Sequence, residues 1–441
     1  MGNFDNGFFE YIAAASNEKV HSQTIAWIFS ENCKIISAEE KGEILKNLIT
    51  NETNEHSKLK SEVFKPIKVF AEIEDIDILI VCKECFIVIE NKVKSSEHSN
   101  QLIKYEYLTS EKQLDPDKLD KIKCNKCNKC KRTSRKECER FDKLTKIKEQ
   151  FLKELRDKKG FYVFLSLIDE SKKVIDPWDA VKYGKLFRSL NNELGVSELK
   201  HIFKKDYYIL NEYLSTLKKL VHIFENEQDK NLILNHVFSN GKSKKLNILL
   251  NDQSDKLKES IKKPIIKYIH ENQLETILQK QFYNQIIINL NRHFENENII
   301  PIVSESNGTA LLDFHFKNIS FSNKKICLGI LQFQGNNIKL AISVDDTHNT
   351  TLEKECKKFK SVLEKNLKDD GYITNTKLTN PGVTKIGIIK DYGFSSVKIN
   401  LPDKLNNNGY WQLLDKPEDV VENCLLFAID FFKPFIKKLN S

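Results

Sequence analysis

Proline and glycine are scarce, at 9 and 15 of 441 residues, which excludes a collagen-like or low-complexity chain. Long apolar runs are missing as well. The best of them, Ile76 to Val81 broken by Asp77 and Cys424 to Phe432 broken by Asp430, fall far short of the roughly 18–20 residues that a membrane-crossing helix needs. The opening MGNFDNGFFEYIAAAS is acidic where a secretory signal is basic, and Asn6 stands where a myristoylation signal carries Ser or Thr. The expectation is a cytoplasmic protein with no membrane partner. In that reducing setting the ten cysteines are free thiols or metal ligands rather than disulfides.

What is present is a folded, polar-surfaced chain. Hydrophobic residues make up 40% and charged residues 30%, with a mean hydropathy of −0.46, and the length is about three times that of a typical domain, so two or three units are expected. The net charge of +8, from 70 Lys+Arg against 62 Asp+Glu, permits a polyanionic partner without demanding one.

Helical periodicity covers Phe8 to Phe29, broken near Ser16 and Asn17, either of which can cap the second helix. After polar, helix-compatible sequence to Ser61, the pattern turns to strands: Val63 to Ile73, Ile76 to Cys82 and Cys85 to Val93 are rich in Ile, Val and Phe. A helix at Ser99 to Ser110, a Cys- and Lys-rich segment, a helix at Phe141 to Leu155 and a strand at Gly160 to Ile168 follow, and from Trp178 to His236 the pattern reads as helical. This is an α/β order. The stretch SNGKSKK, Ser239 to Lys245, reads as a linker. Beyond it come helical sequence to Phe294, strands at Ile299 to Val303, Ala310 to Phe316, Ile326 to Phe333 and Ile338 to Val344, a helix at Thr351 to Leu367, a strand at Val383 to Ile389 and a helix at Pro417 to Leu439. The predicted domains are therefore residues 1–238, with a Cys-rich insert at about 115–140, and an α+β domain at 246–441.

The second and third strands are separated only by Lys83-Glu84. With those two residues at the tip of a hairpin, Cys82 opposes Cys85 and Asp77 opposes Glu90, on one face, and alternation puts Lys92 on that face too. Burying two carboxylates together in an apolar sheet is costly unless something positive neutralises them. A divalent cation such as Mg²⁺, which takes a few carboxylate oxygens plus water and phosphate, suits the pair. Lys92 is then placed to orient or deprotonate an attacking water and to steady phosphate charge.

Asp77 followed by Glu90-Asn91-Lys92, on consecutive strands after an N-terminal helix, resembles the PD-(D/E)XK nuclease superfamily. Asn100-Gln101-Leu-Ile-Lys-Tyr105 is similar to the Q-x-x-x-Y element of its RecB-like members, and Asn17 to Ser22 followed by Ile25-Ala-Trp-Ile28 is similar to the opening helix of a bacterial branch. The resemblance spans about residues 8–180. It implies a mixed sheet flanked by helices, with Asp77 and Glu90 as ligands of Mg²⁺ or Mn²⁺, the Asn91 backbone carbonyl as a further ligand, Lys92 as the catalytic lysine and Glu18 as an auxiliary acid. Gln101 and Tyr105 would help to hold metal or phosphate. Ile76 replaces the eponymous proline, and Glu72, Glu74 and Asp75 crowd the first strand, leaving the identity of the extra acid open. DNA is the substrate the resemblance favours, and a role in bacterial defence follows by analogy. A nucleic-acid binder without turnover and a protein-interaction adaptor are the rival readings.

Cys124, Cys127, Cys130 and Cys138 form C-x₂-C-x₂-C-x₇-C in a charged segment that has too little apolar content to fold alone. Four thiolates on a structural Zn²⁺ would supply the missing stabilisation; an iron–sulfur cluster and a metal-free loop are the alternatives. Lys126, Lys129, Lys131, Arg132 and Arg135 in the same segment suit a phosphate-backbone clamp. Cys82 and Cys85 have a metal-knuckle spacing of their own but read first as strand-end thiols. The second half carries no phosphate loop, HExxH or nucleophile elbow. Target recognition, response to a protein or small-molecule activator, and homodimerisation all stay open for it.

Overall fold

In the computed structural model the described residues are 4, 7–12, 14–49, 59–94, 101–111, 139–170, 174, 176–196, 202–225, 228–239, 263–290, 299–306, 309–321, 324–334, 337–345, 392–395, 421–422, 425–426 and 429. They belong to two compact units, Met1–Glu227 and Gln228–Ser441.

The first unit runs α1 (Phe8–Tyr11), α2 (Glu18–Phe29), α3 (Ala38–Ile49), β1 (Pro66–Ile73), β2 (Ile76–Cys82), β3 (Cys85–Lys92), α4 (Gln101–Thr109), α5 (Glu139–Leu155), β4 (Lys159–Ser166), β5 (Trp178–Lys182), α6 (Tyr183–Val196) and α7 (Lys204–Glu225). Its five strands lie in the order β1-β2-β3-β4-β5. The pairs β1/β2 and β2/β3 are antiparallel, β3/β4 and β4/β5 parallel. This is the expected α/β core, a mixed sheet flanked by helices. Every residue of β3 is buried, which explains why it reads as a near-continuous apolar run rather than an alternating one: a central strand covered on both faces has no solvent side.

One face of the sheet, carrying Leu79, Val81, Phe86, Val88, Tyr162 and Phe164, packs on Leu102, Tyr105 and Leu108 of α4 and Leu144, Ile147 and Phe151 of α5. The alternate residues Ile78, Ile80, Ile87 and Ile89 are equally buried and point the other way. Helix α2 packs on β1, β2 and β3. It starts where Asn17 caps it, the side-chain oxygen accepting the N–H groups of Lys19 and Val20.

The hairpin register follows the expectation, with Ile78 opposite Ile89 and Leu79 opposite Val88. Two boundaries differ. Strand β1 starts at Pro66, because Ser61–Phe64 forms a 3₁₀ turn. Trp178–Lys182, read as the start of a helix, is a strand: it pairs with β4 from Tyr162 to Ser166, and the ladder together with burial of Trp178 outweighs the helical pattern that begins in earnest at Tyr183. Between β1 and β2 only Glu74 and Asp75 turn the chain, both at positive φ, 51° and 71°, as a two-residue hairpin requires.

The second unit contains α8 (Lys230–Ser239), α9 (Pro264–Glu271), α10 (Glu275–Asn289), β6 (Ile299–Ser306), β7 (Thr309–Phe321), β8 (Lys324–Gln334), β9 (Asn337–Asp345) and β10 (Tyr392–Ser395). Its sheet has the order β10-β9-β8-β7-β6 and is antiparallel throughout. Helix α10 packs on β6, β7 and α8, so α8 goes with this unit, whereas its sequence pattern runs on from α7. The helix expected at Thr351 to Leu367 and the strand expected at Val383 to Ile389 lie outside the described residues, as does most of Pro417 to Leu439, in which residues 421, 422, 425, 426 and 429 are helical. Among the described residues no helix is long and apolar enough to cross a membrane.

Candidate active site

The carboxyl end of β3 carries Glu90, Asn91 and Lys92, and strand alternation sends them to opposite faces. Glu90 and Lys92 share the face of Phe86 and Val88, and both are buried, Glu90 completely. The Lys92 ammonium lies 2.6 Å from Glu90 Oε1. That contact is a buried ion pair. Asp77, across the hairpin on β2, accepts the Asn91 N–H at Oδ2, 2.7 Å. The three side chains that the sequence pairs by register are therefore brought together.

Their electrostatics follow from the site's dryness. Burial, then repulsion from Asp77, pushes the Glu90 carboxyl up to about 8, although Lys92 opposes this. Burial likewise pushes Asp77 up to about 6, against the Asn91 N–H and Lys92. Desolvation works against the Lys92 ammonium, but the nearby carboxylates, Glu90 foremost, outweigh it and leave its pKa above the ordinary lysine value. Two carboxyls raised by burial this close together, with Lys92 beside them, are a candidate site for a cation.

Asn91 faces the other way, into the helical layer. Its amide donates to the Glu18 carbonyl and to Ser22 Oγ, both at 2.9 Å, and its carbonyl oxygen accepts the Tyr183 hydroxyl. Glu18, the expected auxiliary acid, reaches the strand end from α2: its Oε1 accepts the N–H groups of Val93 and Lys94 at 3.0 and 2.9 Å. Ser22 and Tyr183 thus hold the central strand in place. Ser22 stood inside the α2 motif with no role given to it, and Tyr183 carried no signal, being 92 residues from its partner.

Helix α4 supplies the near wall. Tyr105 is fully buried and donates its hydroxyl to the Asp75 carbonyl in the β1–β2 turn, which places it beside Glu90. Lys104 grips the same turn through Asp75 Oδ2 at 2.5 Å. Gln101, one turn earlier than Tyr105 on the same helix face, has a buried Oε1 with no hydrogen-bond partner. Of the extra acids on β1, Glu74 and Asp75 form the turn itself, while Glu72 adds repulsion to Asp77.

The buried Glu90 carboxylate, whose charge partner is Lys92, the buried Gln101 Oε1 without a hydrogen-bond partner and the neighbouring Asp77 carboxylate are a candidate donor set for a hard divalent cation. Residues 6–246 match the model of the PD-(D/E)XK nuclease superfamily. The chain belongs to that superfamily. Comparison with curated proteins and with solved structures returns no significant match. PD-(D/E)XK nucleases generally hydrolyse phosphodiester bonds and usually use Mg²⁺ or Mn²⁺, and a nuclease fold implies a nucleic-acid substrate.

The remaining expected site residues fall elsewhere. Cys124, Cys127, Cys130 and Cys138, and with them Lys126, Lys129, Lys131, Arg132 and Arg135, lie outside the described residues. Cys82 and Cys85 are buried free thiols, donating to the carbonyls of Phe64 and Val63 at 3.3 Å each.

Proposed function

We propose that the protein is a metal-dependent nuclease acting on DNA, its chemistry carried by the first unit. The observation that carries this reading is the fully buried Glu90 carboxylate, ion-paired with Lys92 and set beside Asp77. Asp77, Glu90 and the Asn91 backbone carbonyl would hold Mg²⁺ or Mn²⁺, with Gln101 and Tyr105 helping to hold metal or phosphate. The cation, when bound, supplies Lewis acidity toward the scissile phosphate and lowers the pKa of a water.

The chain's own groups do the rest. Lys92, kept as an ammonium by the carboxylates that flank it, orients the attacking water and offsets the negative charge that develops on phosphate. Asn91 and Glu18 fix the end of β3, so the acids and the lysine keep their spacing. The apolar wall of Tyr105, Tyr162, Phe164 and Trp178 limits water access and strengthens each charge contact within it. The Cys-rich insert is proposed as a Zn²⁺ knuckle, or less favourably an iron–sulfur site, whose lysines and arginines clamp the nucleic-acid backbone. A defence role in the cytoplasm against foreign DNA completes the reading, with the second unit serving recognition, activation or homodimerisation.

The test is cleavage of labelled single- and double-stranded DNA and RNA with Mg²⁺, Mn²⁺ or EDTA, with Lys92→Ala as control. Metal-dependent cutting that the variant lacks supports the reading and identifies the substrate. Cutting retained by Lys92→Ala, or cutting in EDTA, overturns it.

A further inference from the structure

A second cluster of metal-ligating side chains lies wholly within the second unit and belongs to no motif in the sequence. His236 from α8, His270 from the end of α9 and Glu275 from the first turn of α10 converge so that one ligand atom from each lies within 4.8 Å of the others. His270 Nδ1 is 2.8 Å from Glu275 Oε1, and His236 Nε2 is 3.8 Å from that same oxygen. The imidazole rings stand nearly perpendicular, at 89°, with centroids 6.4 Å apart. His236 is 2% exposed, His270 9% and Glu275 16% at the side chain, so the set is dry yet borders solvent on the Glu275 side.

The framework that holds these three is rigid. Helices α9 and α10 meet at a tight corner, Asn272-Gln273-Leu274, in which Gln273 has φ 54°. There the Leu274 N–H donates to the Ile269 carbonyl at 3.0 Å, and the Asn272 amide donates to the Tyr268 carbonyl at 3.0 Å. This corner fixes the spacing of His270 and Glu275. Gln279, one turn beyond Glu275 on α10, fixes the third partner: its amide donates to the Val237 carbonyl, next to His236, at 2.7 Å, and its carbonyl oxygen accepts the Ala310 N–H of β7 at 3.3 Å. The two histidines and the acid thus come from three elements pinned to one another independently of any ion.

From this geometry we propose that His236, His270 and Glu275 form a Zn²⁺ site in the C-terminal unit, separate from the acid pair of the first unit. Two imidazoles and one carboxylate are a borderline donor set, which suits Zn²⁺ and not Mg²⁺. Around a tetrahedral Zn²⁺ with bonds of about 2.0–2.1 Å the ligand atoms sit roughly 3.3 Å apart; the two spacings to Glu275 Oε1, 2.8 and 3.8 Å, bracket that value, and all three ligand atoms lie within 4.8 Å of one another, so closing the site draws the two imidazoles together. Three protein ligands leave a fourth position for water. Bound there, the ion joins α8 to the α9–α10 corner.

The experiment uses the full chain in a background where Cys124, Cys127, Cys130 and Cys138 are all Ser, so that thiolate-bound zinc does not contribute. Metal-stripped protein is titrated with Zn²⁺ against a chromophoric chelator, and separately with Co²⁺ for its visible spectrum. The expected result is one Zn²⁺ per chain and a Co²⁺ spectrum of nitrogen and oxygen ligation without thiolate charge-transfer bands. Affinity should fall at least 10-fold in Glu275→Gln and in His270→Asn, with unchanged circular dichroism, and should stay the same in Asp77→Asn. Should the Cys-to-Ser background not fold, the nitrogen and oxygen component of the Co²⁺ spectrum in the unaltered chain, compared with Glu275→Gln, decides instead. No binding in the folded background, or binding undiminished by Glu275→Gln and His270→Asn, or lost in Asp77→Asn, overturns the proposal.

Discussion

Replacing Asn91 by Ala should destabilise the first unit far more than the loss of a small polar side chain suggests. The Asn91 amide makes three hydrogen bonds in a fully buried position, two donated to Glu18 and Ser22 and one accepted from Tyr183. Each is worth roughly 1 kcal/mol net, and the Tyr183 hydroxyl, itself buried, is left without its acceptor at a further cost of about 1–3 kcal/mol. The sum is about 4–6 kcal/mol. Ser22 keeps its own bond to the Glu18 carbonyl at 3.0 Å, so most of the orphan cost falls on Tyr183. A double-mutant cycle isolates it: Tyr183→Phe alone should cost about 1–2 kcal/mol, and the pair should cost at least about 1 kcal/mol less than the sum, because the stranded hydroxyl is gone. Urea unfolding followed by tryptophan fluorescence reads this, in a Trp411→Phe background that leaves Trp27 and Trp178 of the first unit as reporters. A cost below about 1 kcal/mol for Asn91→Ala, or strict additivity in the cycle, would refute the reasoning.

Asp77→Ala, Glu90→Ala and Lys92→Ala should each reduce cleavage at least about 100-fold while circular dichroism stays native; activity retained in all three removes the site. Glu90→Gln should abolish activity yet stabilise the metal-free protein by about 1–3 kcal/mol at pH 7, since burial and Asp77 make Glu90 harder to ionise in the fold than in the unfolded chain by more than Lys92 offsets; a loss of stability counts against the burial argument. Mg²⁺ should raise the melting temperature of the first unit, and its affinity should rise between about pH 6 and 8, where Asp77 and Glu90 surrender their protons; isothermal titration across that range checks it. Buried His21 has its pKa lowered to about 4 by desolvation. Its Nε2 must donate to the Ala15 carbonyl, so Nδ1 accepts the Tyr213 hydroxyl. With the folded value below the unfolded 6.5, the unfolded state takes up the proton first, and stability falls by up to about 3 kcal/mol as pH drops from 6.5 toward 4. An acid limb of the same slope in His21→Gln argues against this account.

The acid pair was legible because a hairpin is local. Two residues between apolar runs set its register, and register alone puts Asp77, Glu90 and Lys92 on one face. The Asn17 cap was legible for the same reason. Strand β5 was not, because its five residues have no periodicity of their own and become a strand only through β4. Tyr183 was hidden by distance along the chain. His236, His270 and Glu275 were hidden twice over, being spread across three helices and lacking any recurrent ligand spacing.

Strands β1, β2 and β3 span Pro66 to Lys92, so the meander that unites the two acids and the lysine closes through contacts between near neighbours in sequence. Its partner β4 begins only at Lys159, across a crossover that contains the Cys-rich run. In folding, the meander can form first, at little loop-closure cost, and the parallel pairing follows as the slower, non-local step. The entropy of closing such a crossover grows only with the logarithm of its length. Extra sequence placed there barely taxes the sheet, and the acids are already aligned by a hairpin that the insertion does not interrupt. The crossover is therefore the place where this fold can acquire or exchange a further module without relearning how to assemble its acid pair.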